Sequence, residues 1–415
     1  MNLQDPRTLR DSGAITPPVT PIKASHSRSS SNASDVLNGS STLRHGDFIP
    51  SSTSERPRKD SAAPYHLAQK PSGTELIRFP FHLSDYEIQT DKNGRKQPIG
   101  SGAWSDVYLA KPVFSNPIDQ IESTVSPPMS PMDFNIPSQE ANELPFAPPL
   151  YAIKIPASRS ARKVLGEEAR ILSYLSQLPD VDHHVVSFYG QDTRTDALVL
   201  KAMAGTLEDW VQKHLNTLPE ASRAQALADV FPTLASSLLD SLRWLHSKSC
   251  THADVKPANI LLPAMDLAPR PIFSDFSSAI LTAFPTEHDA AQQGAGTWDY
   301  LDPILLSTAN LATASETTDL WSLAITLLFV VVGASPFDAL RGNKFRLREM
   351  IKQGDPLACL AYGDEGIRNM MRVKGLSQAM GFDVLKWFGK VLCRDVGKRV
   401  DMRLWKLELD GAVEM

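Results

Sequence analysis

The sequence predicts an α+β fold behind an unfolded N-terminal tail, and three observations carry that expectation. Leucines recur at helical spacing in two places, Leu165–Leu172–Leu175 and Leu234–Leu238–Leu242–Leu245. Short apolar runs with strand character, Tyr151-Ala-Ile-Lys154, Leu198-Val-Leu200 and Ile260-Leu-Leu262, flank those stripes. The composition changes near residue 75. A chain of 415 residues exceeds one average domain, so there is length for a large folded unit behind the tail.

Residues 1–75 hold 14 serines, 8 prolines and no tryptophan. Such a segment cannot bury enough apolar surface to offset its ordering entropy, so disorder is expected there. The formal net charge of −5 gives no argument for nucleic acid or a membrane surface as partner. Cys250, Cys359 and Cys393 are odd in number and in no metal spacing. They point to a reduced compartment, cytoplasmic or nuclear, rather than to a disulfide framework. The opening Met-Asn-Leu-Gln-Asp-Pro has no apolar core and does not read as a signal peptide. The most apolar run, Leu320–Gly333, has 14 residues and is too short to span a bilayer, so it reads as a buried helix.

Gly100 and Gly102 allow a backbone to approach phosphate oxygens and aim N–H groups at them, although a Gly-x-Gly alone is weak evidence. Residues 112–149 carry 9 prolines, five acidic residues and no Lys or Arg. They read as a disordered surface insertion between the strands on either side, tolerable because closure entropy grows slowly with loop length. The tail and the insertion contain Thr16-Pro17, Thr20-Pro21, Ser126-Pro127 and Ser130-Pro131, which suit an upstream proline-directed kinase.

The chemistry concentrates in His252-Ala-Asp-Val-Lys-Pro-Ala-Asn-Ile-Leu-Leu262 and Ser274-Asp-Phe-Ser277. Phosphoryl transfer from ATP needs a carboxylate to orient the attacking hydroxyl, a cation near the transferring group and hard oxygen ligands for magnesium. Asp254 fits the base and Lys256 the cation, while Asn259 and Asp275 fit the metal ligands.

These stretches resemble the catalytic loop and metal-binding turn of the eukaryotic protein kinase family, of serine/threonine type. Ile99-Gly-Ser-Gly-Ala-Trp-Ser-Asp-Val107, Tyr151-Ala-Ile-Lys154 and Thr318-Asp-Leu-Trp-Ser-Leu323 resemble further family motifs in the right order. The resemblance implies a bilobal kinase fold over residues 84–410. Its N-lobe (84–203) is a small antiparallel sheet with one main helix, and its C-lobe (204–410) is mostly helical, with ATP and Mg2+ bound between them and protein hydroxyls as substrates. Ile99, Gly100, Ser101, Gly102, Ala103, Trp104, Ser105, Asp106 and Val107 would cover the nucleotide. Ala152 would lie over the adenine, Lys154 would reach the phosphates, and the backbone from Lys201 to Met203 would hydrogen-bond the base.

Lys154 needs an anionic partner, and periodicity chooses it. Glu168 falls on the stripe of Leu165 and Leu172, whereas Glu167 lies about 100° around the helix, facing solvent. A carboxylate on an apolar stripe is costly unless paired, so Glu168 is the expected partner.

Several positions depart from the family pattern. Ala253 stands where an arginine usually binds an activation-segment phosphate, so activity without that phosphate is expected. Ser105 and Ser277 replace glycines. Leu301-Asp-Pro-Ile304 stands where the family has Ala-Pro-Glu, which leaves Arg399 either paired with Asp302 or solvated, and predicts a less rigid segment. Asp319 is expected to brace the backbone around His252. These departures motivate a second reading, a nucleotide-binding scaffold without turnover. A small-molecule kinase is disfavoured by Lys256-Pro257 and by Asp319-Leu-Trp-Ser322.

Overall fold

The computed structural model describes residues 75–114, 148–266, 269–285, 296–306 and 312–413. The expected disorder of the tail and of most of the insertion, and the four Ser/Thr-Pro pairs, lie outside the described residues.

The N-terminal lobe is a six-stranded sheet with β1 (Ser84–Ile88), β3 (Ser105–Phe114), β4 (Tyr151–Pro156), β6 (Ala197–Lys201) and β5 (Phe188–Asp192) in that spatial order. All these neighbours pair antiparallel, and β2 (Pro98–Ser101) pairs with β3. Strand β4 is the spine. Tyr151, Ala152, Ile153 and Lys154 are all buried there between β3 and β6. Helix α1 (Ala161–Leu175) lies against β4, β5 and β6 and buries Leu165, Ala169, Leu172 and Leu175, the apolar face its spacing dictates.

Three sequence-drawn boundaries move. Pro112–Phe114 do not open the insertion; they continue β3, paired with Tyr86, Asp85 and Ser84 of β1. Past Ala110 strand β3 loses its β4 partner, so it has a neighbour on one side only, the setting in which a proline's missing N–H is tolerated. The folded unit also begins before residue 84. Phe79 is buried with Tyr151 and Val199, and Leu76 and Ile77 pack on the main core. At the other end, the last helix runs to Val413 rather than stopping at 410.

The C-terminal lobe is built on two helices after the short β7 (Gly205–Thr206) and α2 (Leu207–Trp210). Helix α3 (Glu220–Ser247) buries Leu234, Leu238, Leu242 and Leu245 completely. Small ladders follow: β8 (Cys250–Thr251) with β11 (Ile280–Leu281), and β9 (Ile260–Leu262) with β10 (Ile272–Phe273) and β7. Helix α4 (Glu316–Val332) contains the apolar run and is buried from Thr318 onward. A capping box of Ser315 and Thr318 starts it, and Gly333 at φ 83° stops it. Arg223 and Arg372 donate to the orphaned carbonyls of Val331 (2.7 Å) and Val332 (2.5 Å), satisfying a helix end that burial keeps from water.

Helices α5 (Lys344–Gln353), α6 (Pro356–Cys359), α7 (Gly366–Met380), α8 (Val384–Gly389) and α9 (Met402–Val413) complete the lobe. Trp387 of α8 and Trp405 of α9 stack with ring centroids 3.9 Å apart and planes 11° from parallel. Each indole N–H donates to the other residue's carbonyl, at 2.9 and 2.8 Å.

Candidate active site

Two polar clusters are assembled by the ladders just described. Lys154, on buried β4, donates from Nζ to Glu168 Oε2 at 2.7 Å and to Asp275 Oδ1 at 2.8 Å. Glu168 is itself only 1% exposed, and its Oε1 also accepts the Phe276 backbone N–H at 3.1 Å. One carboxylate thereby ties α1, β4 and the 275–276 turn together. Glu167, by contrast, pairs with Arg170 on a more exposed face.

Burial alone would discharge Lys154, but the charges of Asp275 and Glu168 outweigh it and hold the amine protonated above its ordinary range. Burial likewise opposes the Asp275 charge, and Lys154 overcomes it, so this carboxyl sits well below the usual range. Burial lifts the Glu168 carboxyl, against the pull of Lys154.

The second cluster surrounds Asp254. Lys256 Nζ donates to Asp254 Oδ2 at 2.8 Å and to Thr297 Oγ1 at 2.7 Å. Asn259 Nδ2 donates to the same Oδ2 at 3.0 Å and to the Asp254 carbonyl at 2.9 Å. The Thr297 N–H donates to Asp254 Oδ1 at 2.8 Å. Both clusters share a frame, because the Ser274 N–H and hydroxyl both bond the Asn259 carbonyl at 2.9 Å, setting Asp275 beside the loop. Asn259 spends its amide nitrogen on Asp254. Its Oδ1 and the Asp275 carboxylate are hard oxygens of the type that Mg2+ takes, and these two residues could hold it.

The loop is strained and braced at once. Ala253 has φ 63° and Asp275 φ 59°, left-handed conformations uncommon outside glycine. Asp319 on α4 accepts the N–H groups of His252 (Oδ2) and Ala253 (Oδ1), both at 2.8 Å, and His246 bonds it at 2.9 Å. Phe276 is fully buried with its ring 4.9 Å from that of His252. The exact neighbour of this loop matters at Gly296, φ 108°, where an added Cβ would stand 2.9 Å from the Ala253 carbonyl.

The expected nucleotide-covering residues form the β2–β3 hairpin. Ile99, Gly100, Ser101, Gly102 and Ala103 are exposed; Trp104, Asp106 and Val107 are half-buried; Ser105 is buried. The turn closes through Gly102 N–H to the Ser105 carbonyl at 2.8 Å, and Trp104 is pinned by the Ala157 N–H at 2.9 Å. Ala152 is buried on β4. Between the lobes, the Lys201 N–H is already bonded to Ser187 and that of Ala202 to Leu150. Among the described residues the Met203 N–H has no such backbone partner.

Arg399 does not stay solvated. It pairs through both terminal nitrogens with Asp302, the side chains being 5% and 0% exposed, so the anchor usually made by a glutamate is made from a residue two positions earlier. The expected loosening of this segment therefore loses its basis. Thr297 is the residue that sequence reasoning undervalued. By resemblance to the family its Gly296-Thr-Trp298 context marks no more than a hint of serine/threonine specificity, and that context was the available signal.

Comparison with known proteins agrees with this geometry. The protein kinase domain matches residues 149–403, and the chain belongs to that family. Curated relatives include the calcium/calmodulin-dependent protein kinase cmkA of Emericella nidulans, 26% identical over 191 residues, covering 45% of this chain and 42% of the relative. Serine/threonine-protein kinase D of Synechocystis is 24% identical over 247 residues, covering 58% and 40%. Calmodulin-binding receptor-like cytoplasmic kinase 2 of Arabidopsis thaliana is 32% identical over 208 residues, covering 47% and 48%. The match spans less than half the length of each of these relatives.

Proposed function

We propose that this protein transfers the γ-phosphate of ATP to serine or threonine hydroxyls of protein substrates. The observation that carries the reading is the Asp254 carboxylate, held by three donors from Lys256, Asn259 and Thr297. A base fixed in that way can receive a substrate hydroxyl without reorganising, which is where most phosphoryl-transfer catalysis arises.

In this mechanism Asp254 orients the acceptor hydroxyl and takes its proton. Lys256, already bridging Asp254 and Thr297, places a positive charge beside the transferring group. Lys154 holds the phosphates, positioned by Glu168. Asn259 and Asp275 would hold magnesium, whose charge neutralises the phosphate oxygens. The hairpin from Ile99 to Val107 covers the nucleotide, and Met203 offers its backbone N–H to the base. Lys256 and Thr297 support the serine/threonine assignment, as does the name of one of the relatives above.

No helix among the described residues is long and apolar enough to cross a membrane. An intracellular location and an upstream proline-directed kinase acting on the tail and insertion remain part of this proposal, resting on the sequence alone.

Phosphotransfer from labelled ATP with magnesium, read on a peptide array with the full chain, tests the reading. Labelling confined to Ser/Thr peptides is the expected result. Nucleotide-dependent thermal stabilisation with no labelling would instead favour a scaffold, and labelling of choline or a sugar alone would favour a small-molecule kinase.

A further inference from the structure

Residues 76–79, ahead of β1, run along the outer edge of β5. The Ile77 N–H donates to Ser173 Oγ on α1, and the Ile77 carbonyl accepts the Gln191 N–H of β5, both at 2.9 Å. The Phe79 N–H returns to the Gln191 carbonyl at 2.9 Å, and Arg78 bridges Gln191 in parallel. Strand β5 ends the sheet, so this segment satisfies backbone groups that an open edge would expose.

The segment also grips both sides of that edge. Leu76 and Ile77 pack on the core that contains Leu165, Ala169 and Leu172 of α1, whereas Phe79 belongs to the separate cluster with Tyr151 and Val199. Gly190 makes the close approach feasible. At φ 129° an added Cβ would stand 2.5 Å from the Phe79 nitrogen.

Ser173 is wholly buried inside α1 and uses its hydroxyl twice, accepting from Ile77 and donating to the Ala169 carbonyl at 2.7 Å. Ser173 sits in the last turn of α1, where its buried hydroxyl needs a donor, and the Ile77 N–H supplies it. It lies about one and a half turns along α1 from Glu168. At the start of α1 Ser160 makes no side-chain cap, and the Ser158 hydroxyl accepts the Ala161 N–H at 3.2 Å.

We infer that residues 76–79 form a strap that positions α1, and that Ile77 and Ser173 are positioning residues for phosphoryl transfer, acting through Glu168 on Lys154. The inference rests on the kinase reading of Lys154 above. Without the strap the helix can shift along the sheet, and Glu168 no longer meets both Lys154 and the Phe276 N–H.

The test uses the full chain with Ser173→Ala and Gly190→Ala, casein as acceptor, and hydrogen exchange of the α1 amides. Each variant is expected to lower kcat about tenfold with little change in KM for casein, because a small misplacement of catalytic groups affects the transition state most. The α1 amides exchange faster in both. Ser173→Ala added to Glu168→Gln costs nothing further, since the strap acts through that carboxylate. Unchanged kcat and unchanged α1 protection in Ser173→Ala overturn the inference, and so does an additive loss in the Glu168→Gln background. If Gly190→Ala does not fold, Ser173→Ala, which removes a single oxygen, decides alone. A parent chain that labels no acceptor would sink the kinase reading, while α1 exchange in Ser173→Ala would still judge the strap.

Discussion

Arg399 and Asp302 form a buried ion pair roofed by Trp321, with the guanidinium 4.6 Å from the indole centroid. The pair joins the segment after Thr297 to the loop before α9. Removing one partner strands a desolvated charge, which costs about 3–5 kcal/mol. Asp302→Asn should therefore lower the free energy of urea unfolding by that order. A loss under about 1 kcal/mol, the size expected of exposed pairs, would show that the segment is anchored elsewhere.

Asp254→Asn keeps the shape of the loop and removes the charge that orients the acceptor. Turnover should fall by about a hundredfold or more, while ATP affinity by calorimetry stays near that of the parent. Parental turnover in this variant would take Asp254 out of the base role.

Lys154 pairs with both Glu168 and Asp275. Lys154→Met should destabilise the fold by about 3 kcal/mol, because it leaves the buried Glu168 carboxylate without its cation and beside the part-exposed Asp275. Adding Glu168→Leu should recover part of that loss even though activity stays absent. Denaturation curves of the single and double variants read this out, and equal stability of the two would argue against coupling.

Asp275 has a folded-state pKa below its ordinary value, since the Lys154 charge outweighs burial. Its stabilising contribution is fully present above the unfolded carboxylate pKa of about 4 and is lost as pH falls through the lower folded value. Wild type should thus lose more unfolding free energy than Asp275→Asn between neutral pH and pH values below about 4. Parallel pH profiles for the two proteins would contradict that sign.

Much of the site could be read from the chain because its decisive contacts follow local rules. Glu168 was separable from Glu167 because one helical period puts it on the buried stripe with Leu165 and Leu172, where an unpaired carboxylate is costly. The buried helix α4 showed as the apolar run from Leu320 to Gly333, interrupted only by Ser322 and Thr326. Asp302 and Arg399 lie 97 residues apart, and nothing local decides whether such a pair closes. Lys256 and Thr297 meet for the same non-local reason. The strap was missed because residues 76–79 are too few to show a period; its trace in the sequence is Ser173, a polar residue on an otherwise apolar helix face. Pro112 misled in the opposite direction. A proline usually ends a strand, yet here the strand had already become one-sided.

The face-to-face indoles of Trp387 and Trp405 give the molecule an optical gauge. Two transition dipoles held this close couple, so the folded protein should show a split circular-dichroism band near the indole absorption. The band reports whether the final helix is seated, independently of nucleotide or substrate, and its loss during a melt would mark detachment of that helix before or together with the rest.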